Sequence, residues 1–488
     1  MSAMRTFLFA AALAALGTLG VNGAPRLHSE PCTVGEAKLA AICGTYTVYE
    51  DRAAQSGRTI ALKFIVIRAA HASRGVIAWN PGGPGASATA AAPDIAAGET
   101  SSELLALHDR YDILLLDNRG TGGSVLQQCD LAPAEGPQVY FSQIWPASLL
   151  RQCRATLAAR ANLSLYTTSI AADDLNELRA ALGYRKLALD GGSYGTRFYL
   201  VYARRHRESV ASVVLEGVAP PHFFIIPLAD ARGAQIAIDG LVVECRADAR
   251  CSAHFPSFGA HFAAVAARFD TGPVRVPLRA GERSVSVMLS KEVFAERLRQ
   301  ALYFPGSAAY VPFIIERAYG GDYAPLATMV DTVTRGFAGL VAEGLNLSVT
   351  CAEDIPFITE ADVARTSADS FEGNVRVRAQ QRACGIWNVE PVAPSFVEPV
   401  RSDAPTLMIS NSDDPATPPE YAREALPYLP NARMLLIRNG SHGTQTPCSM
   451  QLIVAFVLAG SARGLDLNRC AGSFHRPPFA TSMAGFGD

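Results

Sequence analysis

The chain lacks an excess of charge of either sign. Its 488 residues include 43 Lys and Arg against 45 Asp and Glu, with no basic stripe and no acidic tail. Proteins that bind nucleic acids or charged surfaces usually show such a bias, so neither partner is expected. Hydrophobic residues make up 49% of the chain, which is enough to bury a large core. The expected partner is a peptide or a small acyl substrate.

Long apolar runs are also scarce. The single long one extends from Thr6 to Val21, after the positive charge of Arg5 and before small residues. This layout is typical of a secretory signal, with cleavage near Gly23. A membrane anchor is the alternative, but a span needs about 20 apolar residues and this run is shorter. We therefore predict no stable membrane span, and export to the periplasm or the extracellular space.

Metal-binding patterns of cysteine are absent. No C-x-x-C pair and no cluster of Cys and His occurs, so neither a zinc site nor any other cofactor is expected. The ten cysteines are an even number, and an exported protein meets oxidising conditions that favour disulfides. Ten cysteines permit many connectivities, and a preference for short loops favours pairs of sequence neighbours. These pairs are Cys32–Cys43, Cys129–Cys153, Cys245–Cys251, Cys351–Cys384 and Cys448–Cys470.

Internal repeats and low-complexity linkers are missing as well, and the chain shows instead a pattern of strands and helices. Residues 44–51 and 58–69 are rich in β-branched and aromatic residues and predict a β-hairpin. Short apolar runs follow, several of them separated by helical patterns such as residues 169–184. This alternation predicts an α/β fold with a parallel sheet covered on both faces. The short runs span residues 75–80, 111–120, 186–192 and 211–217.

The strand pattern is interrupted after Gly217 and returns near residue 404. Helical stretches fill the interval, so the simplest interpretation is one α/β domain with a mainly helical insertion. The predicted divisions are a signal peptide at 1–23, a first core part at 24–217, a cap at 218–403 and a second core part at 404–488.

One serine lies at a sharp turn between a predicted strand and a predicted helix. Ser193 occupies the centre of "GGSYG", with Gly191 and Gly195 two residues away on either side. Such a turn is strained, and glycines let the backbone fold tightly enough to hold the hydroxyl clear of the sheet. Ser193 is therefore the predicted nucleophile.

A serine nucleophile needs a histidine base, and the histidine needs a carboxylate to fix its tautomer. His442 lies in the loop after a predicted strand, whereas the alternative His475 lies in a proline-rich tail. Asp413 and Asp414 both follow the preceding strand and compete for the carboxylate role. Pro415 biases Asp414 toward an extended conformation, which favours Asp414.

Acyl transfer also needs N–H donors for the oxyanion. The glycine-rich segment "WNPGGPGAS", residues 79–87, follows a predicted strand directly. The predicted donors are the N–H of Gly83 and the N–H of Tyr194, the residue after the nucleophile.

Five segments together resemble one family of enzymes. "NPGGPGAS", "LDNRGTGGS", "GGSYGTR", "DPATPP" and "GSHG" are similar to the prolyl iminopeptidase and tripeptidyl aminopeptidase branch of the α/β-hydrolase serine peptidases, especially its secreted bacterial members. The resemblance runs from about Cys43 to Cys470. It implies an α/β-hydrolase fold with a large helical cap, a triad of Ser193, Asp414 and His442, and release of proline or short peptides from N-termini through an acyl-enzyme.

Two departures from the family pattern stand out. Pro81 occupies a position where histidine is common, and the cap matches little outside the region of Cys351. An aminopeptidase must bind a cationic amine, which calls for carboxylates in the pocket. The candidates are Glu353 and Asp354 beside Cys351, and Glu216 at the end of a predicted strand, although each suits a structural role equally well.

Three functions stay open on the sequence alone. The first is an exopeptidase, the second a carboxylesterase or other acyl hydrolase with the same triad, and the third a binding protein that uses the fold without chemistry. A complete set of Ser193, Asp414 and His442 argues against the third.

Overall fold

The computed structural model describes residues 26–131, 136–222, 226–280 and 283–487. The predicted signal peptide, residues 1–23, lies outside the described residues.

The strands and helices have the following bounds. The strands are β1 (Leu27–Val34), β2 (Leu39–Tyr49), β3 (Thr59–Ile67), β4 (Val76–Asn80), β5 (Asp112–Leu116), β6 (Leu187–Gly192), β7 (Val210–Glu216), β8 (Val274–Ala280), β9 (Arg283–Leu289), β10 (Thr406–Asn411) and β11 (Ala432–Ile437). The helices before β8 are α1 (Ala92–Ala97), α2 (Ser102–Leu107), α3 (Gln138–Ser142), α4 (Ala147–Ala158), α5 (Thr168–Ala181), α6 (Tyr194–Arg205), α7 (Ile226–Ala247), α8 (Ala249–His254) and α9 (Phe258–Asp270). Those after β9 are α10 (Lys291–Ala301), α11 (Pro305–Ala308), α12 (Val311–Tyr319), α13 (Ala324–Ala338), α14 (Glu343–Glu353), α15 (Glu360–Ser367), α16 (Val375–Trp387), α17 (Pro419–Ala425) and α18 (Pro447–Ala459).

Most strands join one twisted sheet. Its order in the described part of the chain is β1-β2-β3-β5-β4-β6-β7-β10-β11. The strands from β5 to β11 in that order run parallel, whereas β1, β2 and β3 form an antiparallel edge that includes the predicted hairpin. Every residue of β4 and β5 is buried, as expected for parallel strands covered on both faces. The predicted α/β fold with a mostly parallel sheet is confirmed.

Helices cover both faces of the sheet. On one face, Leu175 of α5 and Phe198 of α6 belong to the core that includes Leu189 of β6. On the other face, Leu104 of α2 and Phe456 of α18 belong to the core that includes β4 and β10. Because parallel strands all end at the same edge, the loops after β4, β6, β7, β10 and β11 are brought together there.

The cap is the chain between Glu216, where β7 ends, and Thr406, where β10 begins. It has a hydrophobic core of its own, which includes Phe294 and Val330. Two parts of this region were not foreseen. Strands β8 and β9 pair as an antiparallel hairpin inside the otherwise helical cap, and residues from outside the cap complete its core. These outside residues are Tyr140 and Phe141 of α3 and Phe479 of the C-terminal tail.

Five disulfides join all ten cysteines. The pairs are those of nearest sequence neighbours, which confirms the preferred pairing. The widest-spaced pair, Cys351–Cys384, closes a sequence separation of 33 residues and ties α14 to α16 in the cap.

We expect the native protein to contain no free thiol. Unfolding and reduction should raise its mass by ten hydrogen atoms, two for each of the five disulfides. Replacing both Cys351 and Cys384 by serine should lower the free energy of unfolding by about 2 to 4 kcal/mol, because the bridge constrains the unfolded chain. Mass spectrometry and denaturant titration measure the two effects. Several reactive thiols in the unreduced protein would contradict the assignment.

Within the ranges described above, no helix is long and apolar enough to cross a membrane. Over the same residues, no group of His, Cys, Asp and Glu side chains is arranged to hold a metal ion.

Candidate active site

The turn after β6 presents Ser193 in a strained conformation. Its φ of 54° and ψ of −126° lie outside the regions that non-glycine residues favour. The flanking glycines explain how the turn closes. A Cβ on Gly191 would lie 2.7 Å from the carbonyl oxygen of Gly195, and one on Gly195 would lie 2.5 Å from that of Asn80. Any larger residue at Gly191 or Gly195 would therefore force the turn open.

The loop after β4 packs directly against this turn. A Cβ on Gly82 would approach the Gly192 carbonyl oxygen to 2.5 Å and the Tyr194 nitrogen to 3.2 Å. The Ser193 N–H already donates to the Glu216 carbonyl oxygen at 2.8 Å. In the described part of the chain, the N–H groups of Gly83 and Tyr194 donate to no other group. Two backbone donors are thus available beside the Ser193 hydroxyl.

A buried carboxylate fixes the shape of the loop after β4. Asp117, in the "DNRGTGGS" segment after β5, accepts hydrogen bonds from the Ser87 hydroxyl at 2.7 Å and from the Thr89 N–H at 2.9 Å. It also accepts from the Gly123 N–H at 2.8 Å. The segment therefore supports the glycine-rich loop from below.

His442 and Asp414 form a hydrogen-bonded pair. The His442 Nδ1 lies 2.9 Å from Asp414 Oδ1 and 3.0 Å from Oδ2. A carboxylate only accepts, so Nδ1 carries the proton and Nε2 is left as an acceptor. Burial raises the pKa of the Asp414 carboxyl, but His442 and the hydrogen bonds from Thr417 outweigh burial, and the net pKa is lowered. Asp414 is therefore ionised at neutral pH.

The "DPATPP" turn provides the remaining bonds to this carboxylate. The N–H groups of Ala416 and Thr417 both donate to Asp414 Oδ1 at 2.8 Å, and the Thr417 hydroxyl donates to Oδ2 at 2.7 Å. Gly217 lies against the same pair, since a Cβ there would come within 3.6 Å of His442 Cε1. The turn and the bare glycine together hold the imidazole in one orientation.

The Asp413 side chain points away from His442, toward Ser412 and Arg476. One of its oxygens accepts from the Ser412 hydroxyl at 2.8 Å, and the other lies 3.8 Å from Arg476 of the tail. Burial and the neighbouring Glu244 raise the pKa of the Asp413 carboxyl to about 7. Of the two aspartates weighed from the sequence, only Asp414 contacts His442.

A cavity of about 340 Å³ lies above these loops and is roofed by the cap. Gly83, Ser193 and His442 line its floor on the core side. Tyr303, just past α10 of the cap, packs edge-on against the His442 imidazole at a ring distance of 4.8 Å. His475, the alternative base, is exposed in the tail and does not line this cavity.

The acids predicted to bind a substrate amine do not line the cavity. Glu353 is fully buried, where it accepts from the Thr168 N–H at 2.6 Å at the start of α5. Asp354 pairs with Arg197 at 3.0 Å, and burial raises its pKa above the usual value. Glu216 is hydrogen-bonded to Gln445 on the core side. All three carboxyls therefore have contacts within the protein and lie outside the lining of this cavity.

Other acids occupy the cavity wall. Asp230 and Glu296 line it but are engaged with arginines, since Arg299 lies 3.0 Å from Asp230 and 2.8 Å from Glu296. Glu343, at the start of α14, also lines it and takes part in no ion pair within the described residues. It accepts a hydrogen bond of 2.5 Å from the Trp145 indole. Burial raises the pKa of the Glu343 carboxyl above its usual value.

The position of Glu343 relative to the reactive loops is fixed by the backbone. The N–H of the preceding Ala342 donates to the Gly85 carbonyl oxygen at 3.0 Å, and Gly85 belongs to the glycine-rich loop. A Cβ on Gly85 would clash with Ala342 at 2.8 Å. The start of α14 is therefore clamped onto the loop after β4. The sequence offered no signal for this contact, because the cap matches the family pattern poorly.

The fold and the loops at its carboxyl edge define an α/β hydrolase, with a serine at the strained turn after the central strand. Family comparisons agree. The alpha/beta hydrolase fold family matches residues 80–236, and the TAP-like protein family matches residues 369–468.

Individual proteins that are similar to this chain are serine peptidases and aminopeptidases. Serine protease Hip1 of Mycobacterium tuberculosis is 24% identical over 453 residues, which cover 86% of each protein. A tripeptidyl aminopeptidase of Streptomyces coelicolor is 24% identical over 469 residues, which cover 89% of this chain and 84% of that protein. A proline iminopeptidase of Xylella fastidiosa is 29% identical over 110 residues, or 22% and 25% of the two chains. The chain is a serine hydrolase with an α/β-hydrolase fold, and over most of its length it is similar to the serine protease and the tripeptidyl aminopeptidase.

Proposed function

We propose that the protein is an aminopeptidase that releases proline or a short peptide from the N-terminus of its substrate through an acyl-enzyme. The observation that carries the proposal is the cavity, in which Ser193 and His442 on the floor face a cap wall that contains Glu343. A pocket roofed in this way favours chain ends over mid-chain segments, because an extended polypeptide needs an open cleft at both sides of the reacting bond.

The proposed reaction begins with transfer of the Ser193 proton to His442 Nε2 as the Ser193 Oγ attacks the carbonyl carbon. Asp414 stays ionised and stabilises the imidazolium that forms. The oxyanion accepts hydrogen bonds from the N–H groups of Gly83 and Tyr194, which have no other acceptor in the described residues. His442 then gives the proton to the leaving amine.

Hydrolysis of the acyl-enzyme reverses these roles. His442 accepts a proton from water as the water oxygen attacks the acyl carbon, and the same two N–H groups hold the second oxyanion. Collapse of this intermediate returns the proton to Ser193 and releases the N-terminal fragment as a carboxylic acid. No other reactant is needed.

Glu343 is the proposed partner of the substrate ammonium. Asp230 and Glu296 line the same cavity but are paired with Arg299. Glu343 accepts a hydrogen bond from Trp145 and forms no ion pair among the described residues, although the charges of Arg376 and Arg297 act on it. An ammonium group entering the cavity would favour the ionised carboxylate and form a charge-assisted bond. The clamp between Ala342 and Gly85 keeps Glu343 at a fixed separation from the reactive loops.

Export is part of the proposal. Five disulfides are typical of proteins that mature in an oxidising compartment, which supports a periplasmic or extracellular location. Cleavage near Gly23 in cells, measured by N-terminal sequencing of the exported protein, tests this part separately.

Replacing Glu343 by glutamine should lower kcat/KM on peptides with a free amine by about 30-fold or more, since a desolvated charged pair contributes roughly 2 to 5 kcal/mol. Hydrolysis of a neutral short-chain ester should change little. The measurement compares a tripeptidyl reporter, a prolyl reporter, their N-acetylated forms and the ester, for wild type and variant.

The matched control is Glu360→Gln, which makes the same change at an acid outside the cavity that is paired with Arg378. It should leave all rates unchanged. If wild type cleaves acetylated and free peptides equally well, the enzyme is not an aminopeptidase. Turnover of the ester alone would support the carboxylesterase alternative.

A further inference from the structure

Three carboxyl groups lie together beneath the Ser193 turn, on the core side of the site. Asp190 is on β6, Glu216 ends β7 and Glu103 is on α2. Gly192 is the register partner of Glu216, and Asp190 lies two residues earlier on the same face of the sheet. Asp190 and Glu103 are each 1% exposed, and Glu216 is partly buried. The mechanism proposed above uses none of these groups.

Glu216 is bonded to both reactive loops. Its carbonyl oxygen accepts the Ser193 N–H at 2.8 Å. Its two carboxyl oxygens accept from the Gln445 side-chain amide at 3.0 and 2.9 Å. Gln445 lies three residues after His442 in the same loop. One residue therefore joins the turn that carries the nucleophile to the loop that carries the base.

Burial and mutual repulsion raise the pKa values of all three carboxyl groups and so favour their protonated forms. Burial, followed by the charge of Glu103, raises the pKa of the Glu216 carboxyl to about 8. Burial also raises the pKa of Glu103 to about 7, and burial together with Glu216 and Glu103 raises that of Asp190 well above its usual value.

No positive charge in the described part of the chain compensates these carboxyls. Within the described residues, none of the three takes part in an ion pair with Lys, Arg or His, and Asp190 has no hydrogen-bond partner for either carboxyl oxygen. The groups that face Glu216 are Asp190 from β6, Glu103 from α2 and Gln445 from the His442 loop. The Asp414–His442 pair lies beside the adjoining Gly217.

We propose that Glu216 is a positioning residue: with the cluster protonated, its bond to Gln445 holds the His442 loop against the Ser193 turn, and ionisation of the cluster disturbs that arrangement. Like charges in a buried site repel one another and draw in water, which would loosen the loops that the cluster joins. The inference rests on the roles proposed for Ser193 and His442, and it applies to any acyl substrate.

The sign of the pH effect follows from the raised pKa values. A group that must be protonated keeps its effect below its folded-state pKa and loses it as the pH rises through that value. Since the pKa of Glu216 is raised to about 8, wild-type kcat should fall on the alkaline side of neutrality. An imidazole base alone would give a plateau there, because it is already neutral.

The test is kcat and KM for a neutral short-chain ester from about pH 6 to pH 10, an interval that lies above the ordinary pKa of a carboxyl group and spans the raised pKa values of Glu103 and Glu216. Glu216→Gln keeps a neutral acceptor for Gln445, so its kcat near neutrality should stay within about threefold of wild type, while its alkaline loss should disappear. Gln445→Ala removes the bond and should lower kcat about tenfold at every pH with KM unchanged.

Glu103→Gln provides a second test, because it removes a charge from the cluster and leaves both partners of the Gln445–Glu216 bond in place. It should move the alkaline loss to higher pH. Glu99→Gln, an exposed acid before α2, is the matched control and should behave as wild type. Circular dichroism of each variant separates misfolding from the expected effects.

An alkaline loss that is the same in wild type, Glu216→Gln and Glu103→Gln would overturn the inference, as would a change in KM with kcat unaltered. Ser193→Ala distinguishes this failure from that of the proposed function. If Ser193→Ala is inactive while the pH profiles are unchanged, only the positioning role is wrong. If Ser193→Ala stays active, the proposed roles of Ser193 and His442 are wrong.

Discussion

Replacing Ser193 by alanine should lower kcat by about three to six powers of ten, because the attacking oxygen is lost while the binding groups remain. The fold should survive the change. Alanine removes a single oxygen, and the Ser193 N–H bond to Glu216 that helps to shape the turn does not involve the side chain. Substrate binding should therefore persist with nearly unchanged affinity. Single-turnover kinetics and equilibrium binding of a peptide substrate measure the two quantities.

Ser252→Ala is a suitable control, since Ser252 is a partly buried residue of α8 and lies outside the cavity. Its rates should match those of wild type. A Ser193→Ala enzyme that retains a tenth of wild-type kcat on a pure preparation would show that another residue supplies the nucleophile.

The second large effect is a difference in kcat between substitutions at two adjacent aspartates, Asp414 and Asp413. Asp414→Asn should lower kcat by about three to four powers of ten, because the amide no longer fixes the His442 tautomer or balances the imidazolium. Asp413→Asn should leave kcat within about threefold, since Asp413 contacts Ser412 and lies near Arg476 but makes no bond to His442.

Each aspartate variant is the control for the other, because the chemical change is the same and the positions are neighbours. Steady-state kinetics on the free-amine tripeptidyl reporter, with thermal melting to check the fold, provide the comparison. A mild Asp414→Asn together with a severe Asp413→Asn would reverse the assignment of the carboxylate.

The sheet and the disulfides could be predicted because their signals are local. Short apolar runs such as residues 75–80 and 211–217 are buried strands, and five cysteine pairs close short loops. The turn around Ser193 could also be predicted from the sequence. It needs glycine at positions 191 and 195, because a side chain at either position would clash with the backbone.

The cap could not be predicted in the same detail, because its core is assembled from distant segments. Phe479 of the tail and Tyr140 and Phe141 of α3 belong to the core of the cap, and no local sequence pattern predicts contacts between segments so far apart in the chain. The hairpin of β8 and β9 was missed within a stretch whose neighbours are all helical. Strand preference in a short hairpin depends on its tertiary neighbours more than on its residues.

The predicted amine-binding acids illustrate the same limit. Glu353 and Asp354 lie next to a disulfide in the part of the cap that resembles the family, yet both face Arg197, the arginine of "GGSYGTR", inside the protein. The phase of α14 decides this, since its last turn points to the core while its first residue, Glu343, lines the cavity. A sequence shows which acidic residues a helix contains. Which of them face the substrate cavity depends on how the helix packs against the rest of the protein.

The central claim is that Ser193 carries the N-terminal part of a peptide as an acyl-enzyme. The direct measurement is to mix the enzyme with a tripeptide ester that has a free amine, quench in acid within the first turnover, and locate the added mass by peptide mapping. The account predicts an adduct equal to an N-terminal acyl fragment of this substrate, either the first residue or the whole tripeptidyl group, on the peptide that contains Ser193, and no such adduct in Ser193→Ala. An adduct on another residue, or rapid turnover with no covalent species in the wild type and full activity in Ser193→Ala, would contradict it.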